Sequence, residues 1–400
     1  MSKDHATLTF TTTPGGALFA HCIIRHSDGP DDVSAPVVLA TDRAMLANEI
    51  SQVKNAMPPE STTIWIALPD PLAGPDPDDE DVKAQFRECM ENTIGEGYRL
   101  YDFLSRVGLG AILKDLDGMP EGSKLTINTD CAFLPWEILY SRPYSAKLPA
   151  AVKATEPPPD PTRLWGYRFM INYNLLDQNG TPDWAALMAA HKNGQPFISL
   201  NLNASISNPA WPYQPIDRHR DFYTQHLSEK KVGGVYDSAT DIEGQLYSKK
   251  QEATVLYLYC HGRNSVPFAV NNSEALEFDK NGQPIDPATL GAYENVYTRA
   301  PVVFLNSCTS GQPSPLSFSS FHAVFRRKQA MGIIGTSIEM PSTFGAAFGC
   351  SLLAEYIKGV PLGVAIYALR RDLVDKGNPL GLFYSLQCPI EVTAPGVTNV

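Results

Sequence analysis

Two stretches decide how this chain is read. The first is Thr254-Val255-Leu256-Tyr257-Leu258-Tyr259-Cys260, which ends in His261-Gly262. The second is Pro301-Val302-Val303-Phe304-Leu305, which ends in Asn306-Ser307-Cys308-Thr309-Ser310-Gly311. Each is a short apolar run rich in β-branched and aromatic residues, the pattern of a strand buried on both faces. Strands of that kind belong to parallel sheets, and parallel neighbours end on one rim. An imidazole and a thiol then sit at the carboxyl ends of two strands, where open α/β sheets carry their sites.

Outward from this pair, strands alternate with helices. Residues 196–202 and 332–335 read as strands, and 382–386 as a last one. Residues 218–230, 317–329 and 342–357 read as helices, and Leu362, Ile366, Leu369 and Leu373 recur at helical spacing. Such alternation predicts a mostly parallel central sheet covered on both faces, a three-layer α/β fold. The N-terminal third is α/β as well. Strands are expected at 7–13, 17–24, 37–40, 63–68 and 124–128. Asp42 is placed to cap a helix to about residue 57, with Met45, Leu46, Ile50 and Val53 on one face. Residues 69–81 form an acidic, proline-rich loop, and 82–104 a long helix.

Residues 143–161 hold six prolines, a density that neither a helix nor a central strand tolerates. This segment is read as a linker. It divides the chain into a smaller N-terminal α/β lobe, 1–155, and a second domain, 156–400. An exposed loop within a single domain is the other reading.

Composition narrows the function classes. The 400 residues are 43% hydrophobic and 19% charged, as in an ordinary globular protein. A net charge of −11 and the lack of a long basic run disfavour nucleic acid and anionic membrane as partners. No run nears the ~18 apolar residues of a membrane span, and the N-terminus has no secretory pattern. Seven widely spaced cysteines without a Cys-x-x-Cys pair argue against a disulfide framework or a zinc site. A reducing cytoplasm is the expected location.

Most cysteines in such a chain are small buried hydrophobes. A cysteine or a His-Gly at a strand end is, taken singly, most often structural. The combination carries the chemistry. A thiol near pKa ~8.5 is only partly thiolate at neutral pH, and a neighbouring histidine accepts its proton and returns it to the leaving amine. Backbone N–H groups of Gly262 and Cys308 are candidates to hold the oxyanion, since glycine lets the chain approach closely. No Gly-x-Ser-x-Gly elbow is present, which argues against a serine hydrolase. By strand alternation, Cys260 points away from His261.

These motifs resemble the caspase-like (clan CD) cysteine peptidases, and within them the CHAT family, bacterial relatives of caspases and separase. The likeness extends to Leu276-Glu277-Phe278, the Gly282 turn, a short helix at 287–292, Gly332-Ile333-Ile334-Gly335-Thr336, Gly359-Val360-Pro361-Leu362-Gly363 and the upstream Leu134-Pro135-Trp136-Glu137. It spans 82–386. Where the family has Gly-Asp-Pro near its end, this chain has Gln387-Cys388-Pro389. The resemblance implies a caspase–hemoglobinase fold and an endopeptidase without cofactor, with Cys308 as nucleophile and His261 as base. It also implies a protein substrate, a separate activator or sensor protein, and an N-terminal lobe akin to a pseudo-protease. Glu339 and Asn306 fall where relatives line the substrate pocket. Trp136 and Glu137 read as a buried anchor. The alternative function is a catalytically silent caspase-like scaffold.

Overall fold

In a computed structural model, residues 4–13, 16–53, 62–76, 78–130, 134–146, 158–176, 182–248, 252–263, 275–278, 283–293, 295–307 and 321–396 are described. The chain forms two compact units. One comprises Met1–Ile64, Ala73–Thr181 and Ile366–Ser385; the other comprises Trp65–Leu72, Pro182–Ala365 and Leu386–Val400. The expected division at 155/156 lies outside the described residues. Residues 158–181 go with the first unit because Met170–Leu175 adds a strand to its sheet, and 366–385 because Arg370 pairs with Glu137 there.

The first unit holds a six-stranded mixed sheet. Its strands are β1 (His5–Thr12), β2 (Leu18–Arg25), β3 (Asp32–Val33), β4 (Val37–Val38), β5 (Lys124–Thr129) and β6 (Met170–Leu175). The order is β3-β2-β1-β5-β6, with β4 also on β2. β1 runs antiparallel to β2 and parallel to β5, and β5 runs parallel to β6. The alternation of β1 sets one face inward: Ala6, Leu8 and Phe10 are buried, while Thr7, Thr9 and Thr11 are half-buried. On the inward side Phe10 meets Trp136 edge-on at 6.4 Å, and Trp136 stacks on Trp165 at 6.1 Å. The anchor expected of Trp136 and Glu137 is found there, both being buried.

Two local expectations change. The run Thr62–Ala67 is a helix and not a strand. Its composition suits a strand, but β propensity needs a pleated neighbour, and no described strand pairs with it. Helix Arg43–Gln52 is capped by Asp42 as expected, through Met45 N–H to Asp42 Oδ1 at 2.8 Å. Leu46, Ile50 and Val53 are buried, but Met45 is exposed because it falls in the first turn, off their stripe.

A second six-stranded sheet, all but residues 384–385 of it in the second unit, comprises β7 (Ile198–Leu202), β8 (Gly233–Tyr236), β9 (Val255–Tyr259), β12 (Val302–Asn306), β13 (Gly332–Thr336) and β14 (Tyr384–Gln387). Its order is β14-β13-β12-β9-β7-β8. The pairings from β13 across to β8 are all parallel. A separate two-stranded sheet pairs β10 (His261–Arg263) with β11 (Ala275–Glu277). Every residue of β7, β9 and β12 is buried, the signature of a sheet covered on both sides. On one side Leu256, Leu258, Cys260, Val303 and Leu305 pack with Ile242, Leu246, Leu290 and Phe325. On the other, helix Ser342–Ile357 runs against helix Pro215–Phe222 and β12.

Candidate functional site

The two deciding stretches are parallel neighbours. β9 and β12 pair in register from Val255↔Val302 to Tyr259↔Asn306. His261 begins β10 immediately beyond, opposite Glu277, and is exposed. Gly262 follows opposite Leu276. Cys308 lies outside the described residues, as do 309–320; Ser307 is the last described position before it. Glu339 is exposed just past the end of β13.

Asn306 was expected to face substrate. It is instead 4% exposed and turned into the layer between sheet and helix. Its Nδ2 donates to Tyr257 Oη at 2.7 Å and to Gly345 O at 2.6 Å. Strand parity explains the direction: Asn306 shares its face with Phe304, and that face is covered by helix Ser342–Ile357. Next along the chain, Ser307 O accepts from Thr336 Oγ1 at 2.7 Å, so β13 also holds this strand end.

Tyr257 and Tyr259, on the same face of β9, reach the same layer. Tyr257 Oη lies 2.8 Å from His219 Nε2, and Tyr259 Oη donates to Ser342 O at 3.0 Å. His219 Nδ1 lies 2.7 Å from Pro215 O. Burial pushes the His219 imidazole down to about 4, so it is neutral at ordinary pH.

Asn203 is a support residue that sequence reasoning missed. It follows β7, and its backbone N–H donates to Tyr259 O at 2.8 Å while its Nδ2 donates to Glu277 O at 2.8 Å. It thereby holds the chain on both sides of His261, at the end of β9 and on the strand opposite. Its Oδ1 accepts from Ser205 N at 2.9 Å and Ser205 Oγ at 2.7 Å. No local signal marked it, since Ile198-Ser199-Leu200-Asn201-Leu202 already alternates apolar with polar residues and Asn203 continues that alternation.

Burial suppresses the other thiols that shift. Cys22 and Cys350 are pushed up to about 12, and Cys388, fully buried, is pushed up as well. Cys260 is buried among leucines on the face opposite Tyr259. Among the described residues, no group of three or more His, Cys, Asp or Glu is placed to hold a metal ion. No described helix is long and apolar enough to cross a membrane.

No family model matches the chain, and no curated protein matches it. Among solved structures, a chain of the Saccharomyces cerevisiae separase–securin complex is similar at 9% identity with a TM-score of 0.45. The match covers 96% of this chain and 30% of that one. A likeness at that level is too slight to assign a fold family or an activity. The chain is an α/β protein of two compact units with mixed and parallel sheets.

Proposed function

We propose that this chain is a cysteine endopeptidase of caspase-like architecture that hydrolyses peptide bonds of a protein substrate. Cys308 is the nucleophile and His261 the base. The supporting observation is the parallel register of β9 and β12. Tyr259 pairs with Asn306, and His261 and Cys308 each follow two residues further on. Both residues thus follow the carboxyl ends of two neighbouring parallel strands by the same two positions, and the proposal is that imidazole and thiol meet there.

The chemistry then runs as follows. His261 takes the thiol proton, and the thiolate attacks the scissile carbonyl. The N–H groups of Gly262 and Cys308 stabilise the oxyanion. The imidazolium returns the proton to the leaving amine, and water hydrolyses the acyl-enzyme with His261 again as base. Glu339, as an exposed carboxylate past β13, is proposed to favour Lys or Arg in the substrate. A separate activator protein is proposed to control the site.

The test is cleavage of a peptide library by wild type, Cys308→Ala and His261→Ala. Both variants should lose activity. Cleavage retained in Cys308→Ala would end the assignment. Alkylation at mild pH should select Cys308, because burial keeps Cys22, Cys350 and Cys388 protonated. Absence of both cleavage and selective alkylation would favour the silent scaffold.

A further inference from the structure

We propose that Asn306, Tyr257 and His219 form a positioning relay that locks the ends of β9 and β12 to helix Ser342–Ile357, and so sets the spacing and poise of the dyad. The proposal rests on the assignment of His261 and Cys308 above.

The hydrogen bonds of the relay have only one consistent direction. Pro215 O can only accept, so His219 Nδ1 carries the proton that fills the 2.7 Å contact. The neutral ring then has Nε2 as acceptor, so the Tyr257 hydroxyl donates to it at 2.8 Å. With its proton committed, Tyr257 Oη accepts from Asn306 Nδ2 at 2.7 Å. The orientation of the Asn306 amide is fixed independently, because the same Nδ2 donates to Gly345 O at 2.6 Å. No link can reverse without placing two donors or two acceptors face to face.

The relay is buried throughout: Tyr257 and His219 are 0% exposed and Asn306 is 4% exposed. It is also fitted to the helix. A Cβ on Gly349 would lie 2.5 Å from Tyr257 Oη, and one on Gly345 would lie 2.8 Å from Asn306 Oδ1. Both strands therefore press polar side chains against glycines of one helix, where larger residues would push them away. Tyr259 adds a parallel tie to Ser342 O.

Location distinguishes this from ordinary packing. Val302, Val303, Phe304 and Leu305 fill β12 with apolar groups, and the polar residue appears only at its last position, two before Cys308. Tyr257 lies four before His261. A leucine at 306 would fill the space at no desolvation cost. A satisfied buried polar chain instead specifies one arrangement, because a shifted strand would leave its donors and acceptors unpaired. A thiol–imidazole pair needs such restraint, since small displacements weaken proton transfer.

The test is peptide-resolved alkylation of Cys308 by iodoacetamide across pH in the full chain. Five proteins are compared: wild type, Tyr257→Phe, Asn306→Ser, Tyr356→Phe and His261→Ala. Tyr356 is the control. Its hydroxyl also bonds a buried histidine, His191 Nε2 at 3.0 Å, but its tie to the sheet is to Thr254, just before the start of β9 and away from His261. Loss of the relay should raise the midpoint of the Cys308 profile by about one pH unit, with about tenfold slower labelling at neutral pH. Tyr356→Phe should lower thermal stability while leaving that profile in place. If Tyr257→Phe does not fold, Asn306→Ser, which removes the amide and keeps the hydroxyl of Tyr257, carries the test. Wild-type profiles in the folded relay variants would overturn the relay and leave the dyad standing. Equal shifts in Tyr356→Phe would reduce the relay to general stability and overturn it. A wild-type profile unchanged by His261→Ala would overturn the dyad, and the relay with it.

Discussion

The two units solve the same problem with different buried polarity. In the first, the sheet is dry on one face only. Its other face carries a polar ladder: His5 Nε2 meets Thr126 Oγ1 at 3.1 Å, Thr126 Oγ1 donates to Asn172 Oδ1 at 2.8 Å, and Asn174 Nδ2 donates to Asn128 Oδ1 at 2.9 Å. In the second, β7, β9 and β12 are buried on both faces, and side chains tie the ends of β9 and β12 to helix Ser342–Ile357. The cores differ in kind as well. The first buries charge. Glu137 accepts from Arg370 Nη2 at 2.9 Å and from Tyr173 Oη at 2.6 Å, with Glu137 and Arg370 at 2% and 1% exposure. The second buries neutral imidazoles, His191 and His219, each pushed down to about 4. Charge is costly to unpair, while neutral imidazole is costly to protonate. The units should therefore fail under different insults.

The largest effect should come from unpairing the charge. Arg370→Met leaves the Glu137 carboxylate buried with Tyr173 as its remaining side-chain donor among the described residues, which costs about 3–5 kcal/mol. Replacing both partners, as Glu137→Met with Arg370→Met, should recover most of that loss, since a well-packed apolar pair is often as stable as a buried ion pair. Urea titration followed by hydrogen exchange in peptides from 124–175 would report this unit directly. A double variant no better than the single one would show that Tyr173 and the Tyr384 carbonyl, which also accepts from Arg370, matter more than charge balance.

Acid should separate the units next. The folded pKa of His191 and of His219 is about 4, below the ordinary value of 6.5. Between those values the unfolded chain binds protons that the folded second unit refuses. Its stability is thus full above the ordinary value and falls as pH drops through the window, by up to about 3 kcal/mol per histidine. Glu137 has the opposite sign. Burial pushes its carboxyl up, against the pull of Arg370, so the folded first unit takes up a proton more readily than the unfolded chain. Acidification relieves strain there. Exchange measured from pH 7 to pH 4.5 should rise first in peptides of 198–259 and 342–357. Simultaneous opening of both units would contradict the assignment. His219→Gln should remove about half of the acid sensitivity.

This contrast was partly legible in the sequence. The Thr/apolar alternation of β1 and the unbroken apolar runs of β9 and β12 already distinguish a half-buried sheet from a doubly covered one. The Asp42 cap was legible because capping is local. β6 was not, since Asn172 and Asn174 weaken its strand pattern and their role depends on Thr126 and Asn128 across the sheet. Thr62–Ala67 misled for the converse reason, having strand composition without a strand to pair with. At the candidate site, His261 and its strand were readable from their own residues. The relay was not, because Tyr257 meets His219 and Asn306 at sequence separations of 38 and 49. Buried polar partners are found by topology, which no local pattern encodes.

Glycines give the finest comparison between the units. On helix Glu80–Leu104 of the first, a Cβ at Gly97 would lie 1.9 Å from the backbone carbonyl of Ile138. On helix Ser342–Ile357 of the second, a Cβ at Gly349 would meet the Tyr257 hydroxyl at 2.5 Å. A backbone carbonyl held in a packed turn yields less than a side-chain oxygen. Gly97→Ala should therefore lie at or beyond the upper end of the roughly 1–3 kcal/mol typical of overpacking, and Gly349→Ala nearer its lower end. Gly244, in helix Ala239–Tyr247, is the counter-case, since a Cβ there meets nothing within 4 Å. Gly244→Ala should stabilise the second unit by about 0.5–1 kcal/mol, by restricting the unfolded backbone at a helical position. Urea midpoints for the three variants, read by unit-specific exchange, should fall in that order. Equal losses at Gly97 and Gly349 would mean that the Tyr257 hydroxyl is held as rigidly as backbone, which would strengthen the relay's claim to fix the strand ends.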